Sequence, residues 1–132
     1  MKILQTHPPN IKTVIKKFPD VATTPGIVYT YGNTIYNPSG NDLPDHLVHH
    51  ERIHMVQQKL ITPKVWWEQY LADENFRLEQ ELEAYRGQYD FIKVNYNREQ
   101  RRALLDKLAA DLSSGMYGKI LDKKMAKELI GG

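Results

Sequence analysis

Through most of the chain after residue 42, apolar residues recur every three or four positions, the spacing of a buried helix face. Asp42 is a good N-cap and Pro44 suits a first helical turn, so the pattern predicts a long helix from this point to about Leu60. A second helix is predicted to begin at Thr62-Pro63. Three more are predicted from Asp73 to about Phe91, from Arg98 to Leu112 and from Asp122 to Ile130, and Gly115 and Gly118 lie between the last two.

The first forty residues show a mixed pattern. Residues 10–18 carry apolar positions at helical spacing, which predicts a short amphipathic helix. Residues 26–31 and 34–36 are β-branched and aromatic, and Gly32-Asn33 between them is a tight-turn signal. The sequence therefore predicts an α+β, predominantly helical protein with a small N-terminal β-hairpin packed on a helical core, in a single domain.

The composition narrows the chemistry. The chain has 132 residues, a normal size for one domain, and no cysteine. The lack of cysteine excludes a disulfide framework, a thiolate metal site and a cysteine nucleophile. Any metal must therefore be held by His, Asp or Glu.

Charge and hydropathy exclude other classes of protein. The formal charge of +2, from 18 Lys and Arg against 16 Asp and Glu, is too balanced for a dedicated nucleic-acid binder. No apolar run approaches the roughly 20 residues that cross a bilayer, and the start turns polar and prolyl too soon for a signal peptide. We therefore expect a cytoplasmic protein with no nucleic-acid partner and no membrane partner.

The segment HERIH, from His50 to His54, is an H-E-x-x-H motif inside the predicted long helix. Residues four apart lie on one helix face, so both imidazoles can reach one ion. Zinc accepts imidazole nitrogens at about 2.0–2.1 Å in a tetrahedral shell. Glu51 is displaced around the helix toward the open coordination position, where it can take a proton from an activated water. We expect His46 and His49 to lie outside the ligand set, because neither begins such a motif.

Two histidines leave a catalytic zinc ion one protein ligand short, and without cysteine the candidates are downstream carboxylates. Residues 63–97 carry four basic and seven acidic side chains, a net charge of −3, and the string 76–85 on one predicted helix supplies three glutamates. Glu81 lies beside the apolar positions of that helix, whereas Glu79 and Glu83 lie on its solvated face. Helix phase therefore favours Glu81 as the third ligand, with an exposed helix charge as the alternative.

These residues resemble the gluzincin zinc metallopeptidases, in which a helical glutamate downstream of H-E-x-x-H completes a His/His/Glu site. The third ligand of that family commonly lies three residues before a small residue, as Glu81 does before Ala84. Tyr85 departs from the pattern, because an aspartate that orients a histidine ligand often stands there. The wider run from Ile35 through HERIH to Tyr85 also resembles small phage-encoded proteins of metallopeptidase type.

The resemblance implies that His50, His54 and Glu81 bind Zn²⁺, that Glu51 is the catalytic general base, and that the substrate is a peptide or protein. It also implies a helical zinc-binding core with a sheet edge beside it that pairs with an extended peptide. Residues 26–31 and 34–36 are the candidates for that edge, with an ordinary structural hairpin as the alternative. The candidates for the group that stabilises the oxyanion are Tyr36, Tyr117, His7 and Arg86.

Two rival functions are consistent with parts of the sequence. A non-catalytic zinc-binding structural or accessory protein of phage type fits the small size, because little chain is left for a deep cleft. If phage-encoded, the protein acts in the host cytoplasm or in the virion. A nucleic-acid-binding domain that uses the basic face of residues 98–112 leaves HERIH unexplained.

Overall fold

The computed structural model describes residues 1–114 and 117–131. Helices dominate this part of the chain and a small sheet lies near the N-terminus, so the predicted α+β, predominantly helical class is confirmed. The helices are α1 (Ile11–Lys17), α2 (Asp45–Ile61), α3 (Pro63–Ala72), α4 (Glu74–Asn95), α5 (Arg98–Leu112) and α6 (Lys123–Gly131). Gly115, predicted to separate the last two helices, lies outside the described residues.

The sheet contains the predicted hairpin and one strand more. Strands β2 (Tyr29–Tyr31) and β3 (Thr34–Tyr36) are antiparallel, and the turn between them includes Gly32 at a φ of +64°. Strand β1 (Lys2–Leu4) pairs in parallel with β3, which gives the order β1-β3-β2. The pattern of the sequence did not predict β1, because all three of its residues are exposed and show no alternation.

Side-chain caps fix the starts of α3 and α4 as predicted. The Thr62 hydroxyl accepts a hydrogen bond from the backbone N–H of Val65, and the Asp73 carboxylate accepts from the N–H groups of the second and third residues of α4. The predicted N-cap of α2 was wrong. Pro44 occupies that position, and Asp45, the first helical residue, supplies the negative charge that favours the positive end of the helix dipole.

The buried apolar side chains form two clusters. The first joins α1, the hairpin and α3, and its members are Val14, Phe18, Val21, Tyr29, Trp66, Trp67, Tyr70 and Leu71. The second joins α4, α5 and α6, and its members are Tyr85, Ile92, Leu108, Ala109, Leu112, Ala126 and Ile130. Helix α2 packs against both α3 and α4, and so it places its inner face between the two clusters.

Among the described residues, no helix combines the length and the apolar character needed to cross a membrane.

Candidate metal centre

The inner face of α2 carries three buried polar side chains from the HERIH segment. His50, Glu51 and His54 are 3%, 5% and 4% exposed, and together they form a group that can hold a metal ion. The two imidazoles meet through their Nε2 atoms at 3.1 Å, as expected for histidines one helical turn apart. Burial of three polar side chains without hydrogen-bond or charge partners costs free energy of folding, so neighbouring groups must provide such partners.

Helix α4 supplies the carboxylate that faces both imidazoles. Glu81 is 4% exposed, and its Oε1 atom lies 3.2 Å from His50 Nε2 and 3.1 Å from His54 Nε2. In a tetrahedral zinc shell, two donor atoms lie about 3.3–3.4 Å apart. The triangle formed by these three atoms therefore has nearly the dimensions of one face of such a shell. A cation at the position between them, a proton or a metal ion, would be stabilised by the charge of Glu81.

Glu51 stands further back from the triangle. Its Oε2 atom lies 3.7 Å from His50 Nε2, and its Oε1 atom accepts a hydrogen bond of 2.8 Å from the Thr30 hydroxyl on β2. Thr30 is itself fixed, because its carbonyl accepts from the Gln58 amide and the Trp67 indole. The Glu51 carboxylate is thus held by one oxygen and free at the other.

The charge of Glu81 dominates the electrostatics of the site. Burial alone lowers the pKa of His54, but the Glu81 carboxylate, with a smaller contribution from Glu51, outweighs burial and raises that pKa to about 9. Burial likewise opposes ionisation of Glu81, yet the adjacent histidines hold its pKa well below the usual range. Without a metal, the site therefore retains one proton between His54 and Glu81 at neutral pH.

Aromatic residues complete the walls of the site. The Tyr70 hydroxyl donates to Glu81 Oε2 at 2.6 Å, and burial together with Glu81 keeps the pKa of Tyr70 well above its ordinary value. The ring of Tyr85 meets His50 edge-on with centroids 4.5 Å apart, and Trp66 meets His54 edge-on at 5.3 Å. Tyr85 therefore packs against a histidine ligand candidate at the place where the family pattern has an orienting aspartate.

Two cavities reach the site. A small cavity of about 70 Å³ lies on the apolar side, between the first cluster and the metal-site residues. A wider cleft of about 600 Å³ opens on His50 and Glu51 from the side of α5. Ile27, Val28 and Tyr117 line both cavities. The buried group is thus connected to a space much larger than a water molecule.

The predicted peptide-binding edge is corrected in one respect. Strand β3, residues 34–36, is the central strand of the sheet and is paired on both sides, so it offers no free edge. Strand β2 is an edge strand, but the Thr30 carbonyl on it is already engaged by Gln58 and Trp67. Residues 26–28 make no backbone hydrogen bond within the described part of the chain.

The structure distinguishes among the candidates for oxyanion stabilisation. Tyr117 lies in the walls beside His50, and its hydroxyl is 2.9 Å from the Tyr85 hydroxyl. Burial of this hydroxyl, together with Glu81, raises its pKa well above the ordinary value, so it remains a proton donor. Arg86 is directed away and donates to a backbone carbonyl near the end of α6. Tyr36 and His7 line neither cavity.

The remaining histidines lie outside the triangle. His49 stacks on Phe91 with ring centroids 5.3 Å apart, and His46 contacts the amide of Gln88. Glu79 and Glu83 are exposed, in agreement with their place on the solvated face of α4.

Sequence reasoning missed four residues that contact the site directly. These are Thr30, Gln57, Tyr70 and Gln88. Helix phase contained a signal for the two glutamines, since one follows His54 by three residues and the other follows Glu81 by seven. Thr30 and Tyr70 come from other elements and carry no such signal.

No protein-family model, curated protein or solved structure matches this chain. The chemistry of the site is accordingly inferred from its own geometry.

Proposed function

We propose that this protein is a zinc-dependent metallopeptidase in which His50, His54 and Glu81 hold Zn²⁺ and Glu51 is the general base. The observation that carries the proposal is the triangle of donor atoms, 3.1–3.2 Å on each side, beside a second buried carboxylate. Two imidazoles and one carboxylate form a ligand set that catalytic zinc sites use, and it leaves a coordination position open.

When bound, the metal supplies Lewis acidity, which lowers the pKa of a coordinated water and polarises a substrate carbonyl. Glu51 accepts the proton at Oε2, because Thr30 occupies Oε1 and fixes the orientation of the carboxylate. Tyr117 donates a hydrogen bond to the negative charge that develops on the carbonyl oxygen. The surrounding aromatic rings exclude bulk water, which strengthens these electrostatic interactions.

The surroundings of the site support a peptide as the substrate class. The cleft has a volume of about 600 Å³, within the usual range of ligand sites, and His50 and Glu51 are among its lining residues. The unpaired backbone of residues 26–28 runs along its wall and offers the hydrogen-bonding groups that an added strand needs.

The test combines zinc titration with a hydrolysis assay on a peptide library. Glu51→Gln is expected to bind zinc with wild-type affinity and to lose about 10²–10⁴-fold in kcat/KM, since it removes only the base. His54→Ala is expected to lose zinc binding. Glu79→Gln, at an exposed glutamate of α4, is the matched control and retains both properties. A wild-type protein that binds no zinc, or a fully active Glu51→Gln variant, contradicts the proposal.

A closed structural zinc site is the second candidate function. The observation that favours it is the position of Glu51, which has a donor atom within 4.8 Å of both histidines and is as deeply buried as they are. If Glu51 is a fourth ligand, Glu51→Gln weakens zinc binding, and the zinc-loaded wild-type protein cleaves no peptide of the library. The same variant therefore separates the two functions.

A further inference from the structure

The outer nitrogen of each imidazole is held by a buried glutamine. His54 Nδ1 lies 2.8 Å from Gln57 Oε1, and His50 Nδ1 lies 2.9 Å from Gln88 Oε1. Both glutamines are almost fully buried, at 6% and 2% exposed. A carbonyl oxygen can only accept a hydrogen bond, so each Nδ1 must donate one.

The orientation of the Gln57 amide is fixed by its surroundings. Its Nε2 atom donates to the Gln80 backbone carbonyl at 3.0 Å and to Glu83 Oε1 at 2.8 Å. Both partners are acceptors only, so a flipped amide would place its oxygen against two oxygens. The carbonyl end of Gln57 therefore faces His54, and the proton of that ring lies on Nδ1.

The Gln88 amide lies between two histidine rings. Its Nε2 atom faces His46 Nδ1 at 2.8 Å and its Oε1 atom faces His50 Nδ1 at 2.9 Å. A His50 that binds a metal through Nε2 carries its proton on Nδ1, and that proton requires the amide oxygen opposite it. His46 is in turn positioned by edge-on contact with Tyr96, with ring centroids 5.7 Å apart. The two imidazoles thus have the same kind of partner, a buried glutamine amide at Nδ1.

We propose that Gln57 and Gln88 are positioning residues that fix both imidazoles as Nδ1–H tautomers and so direct both Nε2 lone pairs into the donor triangle. This inference rests on the metal site of the proposed function and adds the groups that orient its two histidine ligands. Loss of one such partner typically lowers metal affinity 10–100-fold, because the ring can then rotate or change tautomer. The orienting groups here are neutral amides, so they hold the rings without adding negative charge.

Two substitutions of Gln88 distinguish the contribution of its hydrogen bond from that of its packing. Gln88→Leu keeps a similar volume and removes the acceptor, so zinc affinity is expected to fall 10–100-fold. Gln88→Glu keeps an acceptor for His50 Nδ1–H and is expected to bind zinc at least as tightly as the wild-type protein. Affinity is measured by competition with a chromophoric chelator, and the Co²⁺ absorption spectrum reports the geometry of the bound ion.

Gln58 provides the matched control. It follows Gln57 on α2 and is fully buried, but its amide bonds Thr30 and Gly32 rather than an imidazole. Gln58→Leu is therefore expected to lower the melting temperature while zinc affinity stays within about twofold of wild type. Equal zinc affinities for Gln88→Leu and Gln58→Leu, or a Gln88→Glu variant as weak as Gln88→Leu, would overturn the proposal while the metal site stands.

A measurement on the wild-type protein needs no variant to fold. Long-range ¹H–¹⁵N spectra of the zinc-loaded protein are expected to show His50 and His54 as Nδ1–H tautomers. Either ring protonated at Nε2 and ligated through Nδ1 overturns the proposal. A wild-type protein that binds no zinc overturns the proposed function, and this inference with it.

Discussion

At the scale of single residues, the site is organised around one carboxylate. Glu81 Oε1 faces two imidazoles and Glu81 Oε2 accepts from Tyr70, so each oxygen has partners in the protein. The negative charge is buried and compensated by a cation, and in the metal-free protein that cation is the proton shared with His54. A metal ion that enters must displace this proton, so binding is coupled to pH.

This coupling predicts how the stability of the metal-free protein depends on pH. The folded protein holds a proton on His54 up to a pKa of about 9, whereas the unfolded chain releases it near 6.5. The stabilisation is thus complete below pH 6.5 and is lost as the pH rises toward 9. We expect the free energy of unfolding in EDTA to decrease over this range in urea titrations. His54→Gln should flatten the dependence, whereas His7→Gln, at an exposed histidine, should leave it unchanged; a flat wild-type profile would contradict the assignment.

At the scale of elements, the site depends on the close approach of α2 and α4. Gly87 on α4 lies directly against the Ile53 side chain and near the His49 ring, and a side chain at this position would force the end of Ile53 to move. The two helices can therefore approach closely enough for Glu81 to reach both histidines. Gly87 lies within a regular helix, where its backbone conformation is one that any residue can adopt. Its contribution is therefore its small size.

We predict that Gly87→Ala destabilises the protein by about 1–3 kcal/mol, because the added methyl group overlaps Ile53 Cδ1. The Ile53→Val change removes that carbon atom. The double variant Gly87→Ala/Ile53→Val should therefore be less destabilised than the sum of the two single variants, by about 0.5 kcal/mol or more. Denaturant unfolding of all four proteins completes the cycle. If the two single changes were strictly additive, the contact between Gly87 and Ile53 would not be the cause of the destabilisation by Gly87→Ala.

At the scale of the whole molecule, the site lies between the two apolar clusters. The pair His54 and Trp66 links it to the first cluster, and the pair His50 and Tyr85 links it to the second. A metal ion held by α2 and α4, as proposed, would therefore tie together the elements on which both clusters are built. Its binding energy would contribute to folding as a whole, because the unfolded chain has no preformed site.

Zinc is accordingly expected to raise the melting temperature. At a free concentration of 100 times Kd the added stability is about 2.7 kcal/mol, which corresponds to about 10 °C for a chain of this size. Calorimetry with zinc and with EDTA measures the difference. His54→Ala should abolish it, and Glu79→Gln should preserve it. An equal rise in the His54→Ala variant would place the metal elsewhere.

The sequence alone was sufficient wherever local rules decide. The six helices predicted by spacing and caps, one before residue 19 and five after residue 42, are present, as is the hairpin around Gly32. HERIH defined a helix face that carries two histidines, and the apolar phase of α4 separated Glu81 from Glu79 and Glu83. These are periodic properties of one segment, so they can be recognised without knowing its neighbours.

Tertiary structure decided what depends on contacts between distant segments. Strand β1 forms only because β3 offers it an edge, and Thr30 reaches Glu51 only because the hairpin packs on α2. Tyr70 contacts the site from α3, where nothing local distinguishes it from an ordinary helix residue. A sequence can thus specify which residues have ligand chemistry and helix phase, whereas the three-dimensional packing fixes the distances, orientations and protonation that those residues adopt.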